Sequence, residues 1–191
     1  KRPVSTYAAT GAALSIASGR ISYVLGLQGP CLTIETACSS SLVAFCLAKQ
    51  AMDAGTCSRH LVAAVNLMLL PGTSLVMASN GMTSASGRSH TFDRRADGYA
   101  RGEACCAAVL KACLSSTPLV VSVMGSCVRQ DGKSASLTAP NGLAQQALLE
   151  AALADAAVVA DSLACSEARG TGTSLGDPIE ARSLAAAVLA R

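Results

Sequence analysis

The chain has 191 residues, 51% of them hydrophobic but only 3% aromatic, with a formal net charge of +3. That length suits one domain with a real core, packed through small side chains. The charge is too mild and too scattered for a nucleic-acid or membrane-surface binder, Arg94-Arg95 being its densest basic group.

Residues 8–25 show helical periodicity, with Ala13, Ile16, Ala17, Ile21 and Val24 on one face and Gly26 as the stop. Gly29-Pro30 turns into a strand-like run, Cys31 to Ile34, that ends at an elbow around Cys38. A helix follows to Gly55, then a strand over about Leu61–Met68. The apolar run 61–70 contains Asn66 and stops at Pro71, too short to cross a bilayer. Lys1-Arg2 leads into no apolar core of a signal peptide. A short helix is predicted over about Ser74–Asn80, then a polar loop from Thr83 to Arg101. Strands are predicted near 104–111, 119–129 and 163–167, and a helix from Asn141-Gly142 to about Ala157. The last helix is predicted to start with Asp177 as N-cap, Pro178 at the first position and Glu180 closing a capping box. Strands without clean alternation, mixed with helices, predict an α/β layered fold. Lys1 lies just before a helix and Arg191 ends one without a stop, so the pattern predicts the central part of a larger domain.

Nine cysteines include no CxxC pair, and the two histidines, His60 and His90, stand apart from them. Cys46, Cys113 and Cys127 fall in apolar runs, where cysteine acts as a small hydrophobe. Reduced thiols in a cytoplasmic, reducing compartment and no metal site are the expectation. Cys105-Cys106 is read as strand packing, one side chain on each face. Cys38 is different. It sits between an apolar run and a helix, where free backbone N–H groups and the helix dipole favour a thiolate.

The run Glu35-Thr36-Ala37-Cys38-Ser39-Ser40-Ser41-Leu42 resembles the nucleophile motif of β-ketoacyl synthases, specifically the ketosynthase domains of type I modular polyketide synthases. Other motifs follow in family order: Ala9-Thr10-Gly11 with Gly19-Arg20-Ile21-Ser22-Tyr23, Val65 to Leu69, Thr91-Phe92-Asp93, Ala96-Asp97-Gly98-Tyr99, Arg101-Gly102-Glu103, Leu137 to Gly142, and Glu167 to Glu180. The resemblance covers essentially all 191 residues. It implies a thiolase-like αβαβα sandwich, with residues 1–191 as a partial ketosynthase domain lacking its N- and C-terminal parts. It also implies acyl transfer to Cys38, then decarboxylative condensation with a malonyl-type extender. No bound cofactor is implied; both substrates ride on the phosphopantetheine of an acyl carrier protein, and the full protein is expected to be a homodimer.

The family's first catalytic histidine opens a His-Gly-Thr-Gly-Thr loop; here Arg169 occupies that position, before Gly170-Thr171-Gly172-Thr173. The second histidine and a nearby lysine would lie beyond Arg191. Arginine stays protonated near neutrality, so condensation is expected to be impaired while acylation of Cys38 survives. By resemblance Thr171 and Thr173 contact the pantetheine arm, or serve as loop hydroxyls bonding local backbone. Phe92 matches a position near the pocket, or is ordinary core. His60 and His90 lack a supporting motif for catalysis, which also counts against an unrelated cysteine hydrolase. The Ser39-Ser40-Ser41 run and the Gly-Thr-Gly-Thr loop favour condensing enzymes over thiolases. The rival reading is a non-condensing module that binds acyl groups or carrier protein, or scaffolds a dimer.

Overall fold

The computed structural model describes residues 5–112 and 121–189. They fall into two compact units: residues up to 63 with 107–112, and residues 64–106 with those after 112.

In the first unit the N-terminal helix is two helices. Helix α1 (Ala8–Ala12) and helix α2 (Leu14–Leu25) meet at Ala13, which is extended at φ −72° and ψ 125°. Gly26 ends α2 as predicted, in the left-handed region at φ 65°, a conformation that glycine adopts without a Cβ penalty. The Cys31–Ile34 run is not a strand. An extended segment becomes strand only by pairing, and no described strand pairs with it. Instead Thr33 holds it against α2, its Oγ1 2.8 Å from the Ser18 Oγ. Helix α3 (Ser40–Asp53) buries Cys46 and Ala48, the two buried apolar side chains among the described residues.

Strands β1 (Arg59–Asn66) and β2 (Ala104–Lys111) form a two-stranded sheet. They run antiparallel: the Ala112 N–H donates to Ser58 O at one end, and the Asn66 side chain donates to Gly102 O at the other. Both Cys105 and Cys106 are exposed on β2.

In the second unit helix α4 (Pro71–Ser79) begins three residues earlier than expected, because Pro71 fits the first helical turn, where its missing N–H is no loss. Helix α5 (Gly142–Asp155) follows Asn141 where a helix was predicted, and Asn141 is its N-cap, its Oδ1 accepting the Ala144 N–H at 3.3 Å. The same residue bonds Asp131 twice, by its backbone N–H to Oδ2 at 3.0 Å and by its side chain to O at 2.8 Å. Residues 121–129 are not a strand; positions 119 and 120 lie outside the described residues. The segment packs on the end of α5: Ser126 N–H donates to Asp155, and a Cβ on Gly125 would meet the Ala156 backbone at 2.5 Å. Residues 163–167 likewise pair with no described strand.

Helix α6 (Gly176–Leu184), continued by a π turn (Ala185–Leu189), packs against α5. The Ser183 hydroxyl, 4% exposed, reaches the Gly142 carbonyl of α5 at 3.0 Å and the Ile179 carbonyl at 2.8 Å. The expected capping box is absent. The helix starts at Gly176 with Leu175 as N-cap, so Asp177 is inside the first turn and its carboxylate faces other partners. Many large apolar side chains are exposed, among them Tyr23, Leu42, Leu69 and Val109. No described helix is long and apolar enough to cross a membrane.

Replacing Asn141 by Ala removes a helix cap and the side-chain bond to the Asp131 carbonyl, while the backbone bond to Asp131 Oδ2 remains. The expected cost is about 1–2 kcal/mol, read as faster amide hydrogen exchange in the first turn of α5 while exchange in α3 is unchanged.

Candidate active site

Cys38 lies exposed in the first unit, immediately before Ser39, the N-cap of α3. The turn that presents it is strained: Ala37 is left-handed at φ 55°, which costs a residue with a Cβ about 1–2 kcal/mol. Hydroxyls hold the turn. Ser40 Oγ accepts the Thr36 N–H at 2.8 Å and donates to Ala37 O at 2.6 Å. Ser39 Oγ donates to Thr36 O at 2.9 Å and lies 2.9 Å from Thr36 Oγ1. The serines after the cysteine thus lock the elbow rather than cap the helix. Nearby in sequence, hydrogen bonds from Ser18 and then Ser22 hold the Cys31 thiol below its ordinary pKa, against a small opposing effect of desolvation.

The second unit gathers the other candidate residues. The loop from Arg169 to Thr173 has backbone N–H groups that no helix or strand satisfies, and two carboxylates of α6 accept them. Glu180 takes the Arg169 N–H at 2.6 Å and the Gly170 N–H at 2.9 Å. Asp177, 3% exposed, takes Gly172 N–H at 2.9 Å and Thr173 N–H at 3.2 Å on Oδ1, and Phe92 N–H at 2.7 Å on Oδ2. Buried carboxylates are tolerated when their lone pairs are filled in this way, and the N-terminal end of α6 favours negative charge. Thr91 completes the junction, its hydroxyl donating to Gly170 O at 2.6 Å.

Phe92 is left-handed at φ 54°, an outlier for a bulky residue. The residue, 51% exposed, borders an open cavity of about 390 Å³ shared with Arg94, Thr173, Ser174, Asp177 and Pro178. Thr173 Oγ1 accepts the Gly176 N–H at 3.1 Å, which is the local backbone bond open to a loop hydroxyl. Gly98 seals the neighbouring turn: its N–H donates to Gly172 O at 2.9 Å, and at φ 134° a Cβ would run into the backbone of residues 82–84. Beside the cavity lining, Arg95 grips Asp93, Nε to Oδ1 at 3.0 Å and Nη2 to Oδ2 at 2.8 Å.

The structure therefore joins Phe92, Arg169, Thr171 and Thr173 in one loop cluster of the second unit, with Cys38 in the first. Arg169 is exposed, and among the described residues its guanidinium makes no hydrogen bond or ion pair; only its main chain is held. His60 lies on β1 with a buried, unpartnered Nε2, and His90 is half-buried in the loop ahead of Asp93. The eight described cysteines are free thiols, and Cys113 lies outside the described residues. Sequence reasoning missed Asp177 and Glu180 as loop anchors. Their signal was two acids three apart, directly after a glycine-rich loop with no strand to take its N–H groups.

The model of the β-ketoacyl synthase N-terminal domain matches residues 1–114, and that of the C-terminal domain matches residues 120–191. The chain belongs to the β-ketoacyl synthase family. It is 47% identical over 189 residues to a phenolphthiocerol/phthiocerol polyketide synthase polypeptide of Mycobacterium tuberculosis, covering 96% of this chain and 9% of that protein. To the polyketide synthase component of the lovastatin nonaketide synthase of Aspergillus terreus it is 45% identical over 192 residues, covering 96% of this chain and 6% of that one. The ketosynthase from module 6 of the bacillaene synthase of Bacillus subtilis 168 superposes with a TM-score of 0.90 at 36% identity, over 98% of this chain and 35% of that one. The oxazolomycin ketosynthase domain of Streptomyces albus JA3453 gives 0.88 at 34% identity, over 92% and 32%. The chain spans less than a tenth of the length of these curated relatives and about a third of the solved chains. The resemblance to type I polyketide synthases, and the α/β, thiolase-like fold expected from it, are borne out by these relatives.

Ser40→Ala should free the Thr36 N–H and leave the Ala37 carbonyl only the Ser40 backbone N–H, loosening the elbow by about 1–2 kcal/mol, seen as loss of exchange protection at the Thr36 amide. The Arg95 side chain, helped by its backbone N–H, holds the Asp93 carboxyl well below the usual carboxylate range. A depressed folded value means the contribution is complete above the unfolded carboxylate pKa of about 4 and fades only as pH falls below it. A proton-NMR titration should find the Arg95 amide shift constant from neutrality to about pH 4, moving only in stronger acid.

Proposed function

We propose that residues 1–191 are the central part of a ketosynthase domain of a type I polyketide synthase, in which Cys38 accepts an acyl group from a pantetheine thioester. The observation that carries this reading is the exposed Cys38 on a hydroxyl-locked elbow at the start of α3, in a chain of the β-ketoacyl synthase family. The acyl chain and the malonyl-type extender arrive on the phosphopantetheine of an acyl carrier protein, and Thr171, Thr173 and Phe92 receive that arm. The working protein is a homodimer in a reducing, cytoplasmic setting, with no nucleic acid, membrane span or metal in its chemistry.

Arg169 favours a second reading of the condensing step. A guanidinium stays charged near neutrality and can pair with a carboxylate. It would hold the malonyl carboxylate, whereas condensation requires that carboxylate to leave as CO₂. On this reading the domain takes up acyl groups and binds carrier protein but condenses poorly. Because Glu180 grips the main chain at 169 and 170, changing the side chain at 169 leaves the loop's anchorage in place.

The test uses the complete synthase that carries this stretch. Cys38→Ala should abolish acylation by acyl-pantetheine. Arg169→His should raise decarboxylation of carrier-bound malonyl by about a hundredfold, the scale of one positioned imidazole. Equal and robust decarboxylation by both proteins would sink the impaired-condensation reading and leave an ordinary condensing ketosynthase.

A further inference from the structure

A helix cap does not explain the contacts of Asp177. Its carboxylate bonds no N–H of its own helix; the three it accepts belong to Gly172, Thr173 and Phe92, the last 85 residues away in sequence. It is 3% exposed, and no cation pairs with it among the described residues. One group therefore fixes the backbone of two residues that line the cavity, Phe92 and Thr173. It also holds Phe92 in a left-handed backbone that an aromatic residue avoids when unconstrained. Thr173 Oγ1 accepts from the Gly176 N–H, and a hydroxyl that accepts keeps a proton of its own to donate.

From this geometry we infer that Asp177 is a positioning residue, holding Phe92 and Thr173 at the separation that receives the pantetheine arm of the incoming thioester. The inference rests on the ketosynthase reading above. The arm carries two amides and one carbon bearing two methyl groups. A hydroxyl donor and an aromatic ring lining one cavity suit that pattern, provided both are held in place. A carboxylate is suited to fix them because it accepts along several directions and never donates. An amide in its place would turn a donor toward at least one of the three N–H groups.

The experiment is acylation of Cys38 in the complete synthase by hexanoyl-pantetheine, alongside alkylation of the same thiol by iodoacetamide, which needs no arm. Asp177→Asn should raise the half-saturating hexanoyl-pantetheine concentration about tenfold, with the saturated rate changed by less than about threefold. Iodoacetamide alkylation should stay within about twofold of the parent. An unchanged half-saturation overturns the positioning role, as does a parallel loss of acylation, alkylation and thermal stability, which would mark Asp177 as purely structural. Should Asp177→Asn not accumulate as folded protein, Asp177→Glu keeps the charge but displaces the oxygens by one methylene. The same rise in half-saturation is expected of it, and no rise overturns the proposal. If the parent is alkylated by iodoacetamide yet never acylated by hexanoyl-pantetheine, the ketosynthase reading fails and this inference falls with it. An acylated parent with an insensitive Asp177 variant removes the inference alone.

Discussion

A glycine-rich loop gains close approach and sharp turns, but it leaves main-chain N–H groups with no helix or strand to take them. In the second unit the N–H groups of Arg169, Gly170, Gly172 and Thr173, with that of Phe92, are in this position, and the carboxylates of Asp177 and Glu180 accept all of them. Hydrogen bonds to a charged acceptor contribute about 1.5–3 kcal/mol each, roughly twice a neutral one. Leaving those donors buried and unpaired would cost a comparable amount. The loop is therefore ordered by anions rather than by packing, which suits a segment where the buried apolar contribution is small.

The elbow around Cys38 solves a related problem with neutral groups. A left-handed Ala37 and the free ends of Thr36 are secured by Ser39 and Ser40 hydroxyls that both give and take. Hydroxyls leave no fixed negative charge beside the sulfur, whereas a carboxylate there would oppose a thiolate. The two local solutions thus match the chemistry that each segment is proposed to perform.

Much of this was legible in the sequence. Helices announced by periodicity and a terminal glycine or asparagine, such as α2 at Gly26 and α5 at Asn141, stand where the residues put them. The motif around Cys38 carried the family without help from geometry. The strand failures share one cause. Cys31–Ile34, 121–129 and 163–167 have the composition of strands, but pairing is a property of two segments, and one segment's residues cannot state it. Asp177 and Glu180 failed differently: their spacing fits a capping box, and only the position of a loop ahead of them in the chain and of Phe92 far from them diverts both carboxylates. Arg169 was legible as a departure, and the structure adds that among the described residues its side chain stands unengaged while its main chain is fixed.

Asp177, Glu180 and Ser183 are three residues apart in sequence, and so fall along one stripe of α6. The first two grip the loop; the third latches the helix to the start of α5, where a Cβ on Gly142 would press on the Ser183 Oγ at 3.3 Å. The helix is thus a bar with the loop fastened at one end and its register gauge at the other. Any change that slides α6 along α5 displaces both carboxylates together and by the same distance, so a methyl group added at Gly142 acts on the loop without touching it.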